Sequence, residues 1–254
     1  MLRVGTDPYG ANAPDVTVMP VWSETGLRQL AWAEDNRRRV DRMTKGRVAY
    51  IYVPNTLLRG YVDFSRYYFA QIGKEAAIID GRFNGGGMNS TDMIEYFKRS
   101  LSAFIVTRDG EDFPYPRAIY GPKVMIINES AGSGGDCLPW YFKHAGTGKL
   151  IGKRILGAGV GIVITPFMDG GFIVAPAMSY YCPEGTYNIE NQGVPPDIDV
   201  ELDPLSVRPG LDPRLEKAAE VVMVELEKNP VPRPKRPPYP RYQRANEATG
   251  PVHR

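Results

Sequence analysis

Two segments of the 254-residue chain combine residue types and spacing that chemistry can use. One is Ile78-Ile79-Asp80-Gly81-Arg82-Phe83-Asn84-Gly85-Gly86-Gly87. The other is Ile126-Ile127-Asn128-Glu129-Ser130-Ala131-Gly132-Ser133-Gly134-Gly135-Asp136. Each is an apolar run that enters a glycine-rich turn ahead of a helical segment. Ligands of α/β folds collect at the carboxyl ends of strands. Successive glycines there let backbone N–H groups face a cavity, and a helix N-terminus adds positive potential. Such a place suits a phosphate or an oxyanion. Neither segment fits G-x-x-x-x-G-K-[ST], nor G-x-G-x-x-G with its proper continuation, and no lysine opens the helix, which argues against a phosphate loop. The oxyanion reading explains more. Ser133 stands between Gly132 and Gly134, open to a substrate, with amides at hand for a developing negative charge.

These residues need elements to position them. Asp15 to Val21 alternates like a strand, with Pro20 marking an edge. Ser23 to Thr44 reads as a helix with Leu27, Leu30, Ala31 and Val40 on one side, and Arg37, Arg38, Arg39 and Arg42 on a solvated one. Arg47–Val53, Ala76–Arg82, Lys123–Asn128 and Lys149–Gly152 are strands, short and apolar as buried parallel strands are. Helices are predicted over Val62–Ile72 with Asp63 as cap, over Thr91–Ala103, and after Asp136 to about His144. Gly161–Ile164 and Gly171–Val174 read as a hairpin. Asp212-Pro213 opens a last helix to Leu226. The alternation predicts an α/β fold with a largely parallel sheet.

Composition narrows the function. Lys and Arg number 31 against 29 Asp and Glu, a formal net charge of +2, which gives no reason to expect nucleic acid. The charge is uneven: Pro230 to Arg254 holds six basic residues, one acid and seven prolines. That tail is expected to be disordered or to lie as a strap on a partner. No run approaches the ~18 apolar residues of a membrane span. The first residues show no apolar signal core, so a cytoplasmic setting is expected. Cys137 and Cys182 suggest neither a disulfide framework nor zinc, and no metal or other cofactor is expected. There are two histidines, His144 and His253.

With these motifs in place, the chain resembles the tail-specific (C-terminal-processing) serine peptidases, and among them the tricorn catalytic-core branch. The matching segments are Gly46–Asn55 (GRVAYIYVPN), Asp80–Gly87 (DGRFNGGG), Asn128–Asp136 (NESAGSGGD), Gly148–Arg154 (GKLIGKR) and Glu190–Asp197 (ENQGVPPD). They follow the family's order from about Asp15 to Asn229. The resemblance implies a crotonase/ClpP-like ββα core over 46–229. It also implies a linking helix over 23–45, and a remnant strand of a PDZ-like domain within 1–22. It implies a peptide or unfolded-protein substrate and self-association, since relatives form ring-like oligomers. Residue by residue, it makes Ser133 the nucleophile, the amides of Gly86 and Gly134 the oxyanion hole, and Glu190 the acid of a tetrad.

The general base departs from the pattern. The position that the resemblance assigns to a histidine is Tyr52, and Tyr50 to Asn55 contains no serine to act as the tetrad's accessory. The lysine of the family's other branch would fall at Ala158, with Lys153 the nearest. Gly134 stands where tricorn-type sites carry an acid, so their preference for basic residues does not transfer. Serine needs a base to become a good nucleophile. Two readings stay open: a peptidase in which Tyr52 or a nearby lysine activates Ser133 weakly, and a catalytically degraded relative that binds extended peptides. An acyl-CoA enzyme of crotonase type would require a basic cluster, for which Arg82, Lys153 and Arg154 are the candidates.

Overall fold

Five parallel strands form the centre of the computed structural model, which describes residues 1–7, 10, 13–204 and 211–239. In chain order the strands are β1 (Leu2–Arg3), β2 (Asp15–Val16), β3 (Val48–Tyr52), β4 (Ala76–Asp80), β5 (Ala103–Ile105), β6 (Phe113–Tyr115), β7 (Lys123–Ile127), β8 (Gly148–Gly152), β9 (Gly161–Pro166), β10 (Phe172–Met178) and β11 (Ile198–Asp199). The helices are α1 (Thr25–Met43), α2 (Leu58–Ala70), α3 (Ser90–Phe97), α4 (Gly134–His144) and α5 (Pro213–Lys228). The central sheet has the order β11-β8-β7-β4-β3, all parallel, and three antiparallel pairs (β1–β2, β5–β6, β9–β10) lie outside it.

The apolar strands bury both faces, as parallel strands between helices do. On one face Ala49, Ile51, Ile79, Met125 and Leu150 meet Phe64 and Tyr68 of α2, Met93 and Phe97 of α3, and Leu138 and Phe142 of α4. On the other, Val48, Tyr50, Tyr52, Ile78 and Ile126 meet Ala33 and Val40 of α1 and Leu215, Ala218, Val222 and Leu226 of α5. Each large side chain withdrawn from water this way contributes about 1.5–3 kcal/mol. The sheet's carboxyl edge is thus held between two helical layers, and both glycine-rich turns emerge there.

Several expectations shift. The segment Asp15–Val21 forms a strand only at Asp15–Val16, paired with Leu2–Arg3. α2 starts at Leu58, not Val62. The Asn55 carboxamide takes the N–H groups of Leu57 and Gly60, so Asp63 lies inside the helix and caps nothing. α3 ends at Phe97, and Ala103 begins an unforeseen hairpin, β5–β6. The arginine side of α1 stays toward solvent as expected, with Arg38 and Arg42 exposed, and it carries surface pairs of Arg37 with Glu34, Arg38 with Asp35, and Arg39 with Glu216 of α5. Of the basic tail, residues 230–239 are described, with Arg233 near Glu75 at 3.6 Å and Arg236 near Asp112 at 3.5 Å. The rest of the tail, and His253 in it, lies outside the described residues.

Buried charge ties the layers together. The Arg82 guanidinium pairs with Asp80 at 2.6 Å and with Asp212 at 2.7 Å, all three side chains nearly closed to solvent. Asp212 also caps α5 by accepting the Leu215 N–H. Tyr50 Oη donates to Asp80, and Asn36 of α1 donates to Tyr50 Oη. The indole of Trp32 lies 4.9 Å from the guanidinium carbon. Removing the cation leaves two buried carboxylates facing each other. Arg82→Ala is therefore expected to lower folding stability by about 3–5 kcal/mol in urea unfolding. Arg82→Lys should recover only part of it, since an ammonium lacks the planar fork. A loss under about 1 kcal/mol for the alanine variant would show that the cluster does not bind the layers.

Candidate active site

The chain turns abruptly between β7 and α4. Ser133 precedes α4 with φ 57° and ψ −121°, a left-handed conformation unusual for a residue with a side chain. Such geometry costs on the order of 1–3 kcal/mol and persists only where surrounding contacts enforce it. Here the Ser133 N–H donates to Ala158 O at 2.8 Å, and Ser133 O accepts the N–H groups of Asp136 and Cys137. The result is an exposed serine at the head of a helix.

The first glycine turn is pressed against this one. Gly132 N–H donates to Asn84 O at 3.1 Å, and Ser90 Oγ donates to Gly134 O at 3.1 Å. A β-carbon on Gly86, which has φ +88°, would come within 2.8 Å of Ser133 Cβ and 3.1 Å of its Oγ. On Gly134 it would strike Gly87 O at 2.1 Å and Thr56 Oγ1 at 2.3 Å. The absence of an acid at position 134 therefore has a steric reason in this fold. As the first residue of α4, Gly134 offers an amide with no carbonyl one helical turn behind it. The Gly86 N–H donates to Asn84 Oδ1 at 2.9 Å, so an oxyanion there competes with a neutral amide oxygen. Charged acceptors form the stronger bond.

Ser133, Gly86 and Gly134 are thus brought together. Tyr52 is placed elsewhere, on the sheet face covered by α1 and α5, whereas α4 covers the other. Its hydroxyl accepts from Gln29 Nε2 at 2.7 Å, and its ring meets Trp32 edge-on at 5.1 Å. Burial pushes its pKa up to about 12, so at neutral pH it is a phenol and no base. Lys153 is held by Asp199 and Glu201, both at 2.6 Å, and these hydrogen bonds raise its pKa. His144 stacks on Trp140 at the far end of α4, with ring centroids 4.7 Å apart. Glu190 Oε2 accepts the Val160 N–H at 2.9 Å, so this carboxylate holds a loop rather than Tyr52. Cys137 is buried and its thiol is pushed up to about 11, an inert packing thiol. Among the described residues no group of three or more His, Cys, Asp or Glu could hold a metal ion.

Three residues of the site carry more than the sequence reading gave them. Asn84 bridges Val53 O to the Gly86 amide. Asn128 Oδ1 accepts the Phe83 N–H at 2.9 Å and so joins the two turns. Asp136, fully buried, accepts the N–H groups of Gly157 and Ala158 at 2.8 and 3.0 Å. All three close the quoted motifs or lie inside them. The available signal was a polar residue with no helix-capping or surface role.

The sequence profile of peptidase family S41 matches residues 47–200. The chain is 36% identical to the tricorn protease of Thermoplasma volcanium over 214 residues, which are 83% of this chain and 21% of that protein. It is 30% identical to tricorn protease homolog 1 of Streptomyces coelicolor over 227 residues, covering 89% of this chain and 21% of that one. The crystal structure of the tricorn protease superposes with a TM-score of 0.81 at 32% identity, over 85% of this chain and 21% of the other. The chain spans about a fifth of the length of these relatives.

The contact between Gly86 and Ser133 makes a sharp expectation. Gly86→Ala places a methyl where the serine side chain lies. The labelling rate of the Ser133 hydroxyl by a fluorophosphonate should fall about 10²-fold, as misplacements near 1 Å do. The circular dichroism spectrum should be retained. Unchanged labelling would show that the two turns do not share one site.

Proposed function

The chain belongs to peptidase family S41, and from that membership we propose that it carries the nucleophile of a serine peptidase acting on peptides or unfolded protein. The observation behind this reading is the strained, exposed Ser133 at the head of α4, with Gly86 against its hydroxyl. Ser133 Oγ attacks the scissile carbonyl carbon. The Oγ–C bond forms, the carbonyl oxygen becomes an oxyanion before the Gly86 and Gly134 amides, and the C–N bond then breaks. The serine proton passes to a base and on to the leaving amine. Water releases the acyl group by the reverse addition. Glu190 and Asp136 keep the adjoining loop in place through its amides.

Base assistance is worth ~10²–10⁴-fold. Among the described residues Tyr52, Lys153 and His144 are all engaged elsewhere. The chain by itself therefore reacts slowly, and an activated phosphonate is a better probe than peptide turnover. The same observation favours the second reading, a peptide-binding relative without turnover. The acyl-CoA alternative loses its basic cluster: Arg82 is enclosed by two carboxylates, Lys153 is paired, and Arg154 is bonded to the carbonyls of Gln192 and Gly193. We further propose that residues 1–22 belong to a PDZ-like domain, the β1–β2 pair being the support for this reading. The core over 46–229 we take as crotonase-like, and self-association as the assembled state.

Fluorophosphonate labelling at Ser133, lost in Ser133→Ala, is the expected result for the peptidase. No labelling of the wild-type chain would favour the binding module. Tyr52→Phe separates packing from catalysis. It should leave the labelling rate unchanged and lower stability by about 1 kcal/mol through the lost Gln29 bond. A drop in labelling of 10-fold or more would return Tyr52 to the site.

A further inference from the structure

We propose that Asp136 is the positioning residue of this site: its buried carboxylate holds the Gly157–Ala158 turn, and that turn sets the backbone of Ser133 through Ala158 O. The chain of bonds is short. Asp136 Oδ1 accepts the Gly157 N–H at 2.8 Å and Oδ2 accepts the Ala158 N–H at 3.0 Å. Ala158 O in turn accepts the Ser133 N–H at 2.8 Å. The loop closes on itself, because the Asp136 N–H donates to Ser133 O at 2.8 Å. Ser133 is thus gripped at both backbone groups, one from its own helix and one from a turn that the Asp136 carboxylate ties to that helix, while the Asn191 N–H donates to Gly157 O at 2.8 Å on its other side. Gly157 has φ +85° and packs against Gly193, so the turn has little freedom to follow a different partner.

Stability does not explain a carboxylate there. Asp136 has no exposed surface, and its carboxylate bonds to backbone amides, not to a cation, among the described residues. Burial raises its pKa above the ordinary aspartate value, against the lowering effect of the amides, with Glu190 adding repulsion. The sign follows from linkage. A folded-state pKa above the unfolded one means that the group's contribution to stability declines as pH rises through it. Burial thus disfavours the ionised carboxylate, which nonetheless supplies acceptors to the Gly157 and Ala158 amides. Glu190, from the turn at 189–193, reaches the same loop farther on, at Val160, and Cys137 is the other titratable neighbour. Two acids hold one loop, and only Asp136 holds the turn whose carbonyl meets Ser133.

Asparagine tests the geometry closely, since it keeps one acceptor and turns an NH₂ toward the second amide. The consequence for reactivity rests on the Ser133 nucleophile reading, and the consequence for the backbone does not, so both are measured on the full chain. Amide hydrogen exchange in Asp136→Asn should speed up at Ser133, Gly157 and Ala158 together by about 10-fold or more, with the β3 and β4 amides unchanged. Glu190→Gln should leave Ser133 protected. Fluorophosphonate labelling should slow about 10²-fold in Asp136→Asn. If Asp136→Asn does not fold, the wild type decides: the Ser133, Gly157 and Ala158 amides should exchange through one common opening, with the same protection and the same dependence on denaturant. Ser133 exchange that ignores the substitution, or that does not share its opening with Gly157 and Ala158 in the wild type, overturns the proposal. Exchange that behaves as expected in a chain that never labels leaves the clamp standing and refutes the nucleophile.

Discussion

The Arg82 guanidinium is the point on which the layers meet. It sits at the carboxyl end of β4, one step before the first glycine turn, and binds Asp80 of that strand and Asp212 at the start of α5. Trp32 of α1 lies over it. A buried charge is tolerated only when it is fully paired, and here one partner comes from the sheet and the other from the start of a covering helix. Two residues on, Arg214 donates to Val200 O and to Glu129, the residue that opens the second glycine turn. The start of α5 thus holds both glycine-rich turns, although it lies on the opposite face from α4. Burial of the sheet is what fixes the distance between Gly86 and Ser133.

From that frame the site's chemistry follows by exclusion as much as by placement. Gly86 and Gly134 leave no space for side chains, which is why the hydroxyl and the amides can converge. Two carboxylates, Asp136 and Glu190, spend their acceptors on the loop beyond α4 rather than on an acid–base relay. The aromatic at position 52 fills the α1 side of the sheet. A β-strand sends neighbouring side chains to opposite faces. A residue that ends β3 with the parity of Val48 and Tyr50 joins their face, away from α4.

The surface beside the site is uncommonly apolar. Both strands of the β9–β10 hairpin expose Ile162, Val163, Ile164, Phe172, Ile173 and Val174, each about half open to solvent. The hairpin follows directly on the loop that Asp136 and Glu190 hold. Whatever orders that loop therefore also orients the hairpin's root at Gly161. Only a handful of residues separate the turn bonded to α4 from this exposed ribbon.

The sequence by itself determined the parallel α/β order, the strands of the central sheet except β11, a hairpin over Gly161–Ile164 and Gly171–Val174, the cap at Asp212 and the two glycine turns flanking the Ser133 motif. Those features are written in local pattern: apolar runs, Asp-Pro, repeated glycine. It could not determine which side of the sheet a residue faces at a strand's end, and so Tyr52 was expected beside Ser133 when it packs against Trp32 and Gln29. It could not show that Asp63 is passed over for Asn55 as the cap of α2, because the start of that helix depends on a turn packed against the glycine loop. Nor could it show Asp136 fastening a turn 21 residues ahead. Contacts of that range exist only once the strands are in register, and only the tertiary structure decides what a buried carboxylate has to hold.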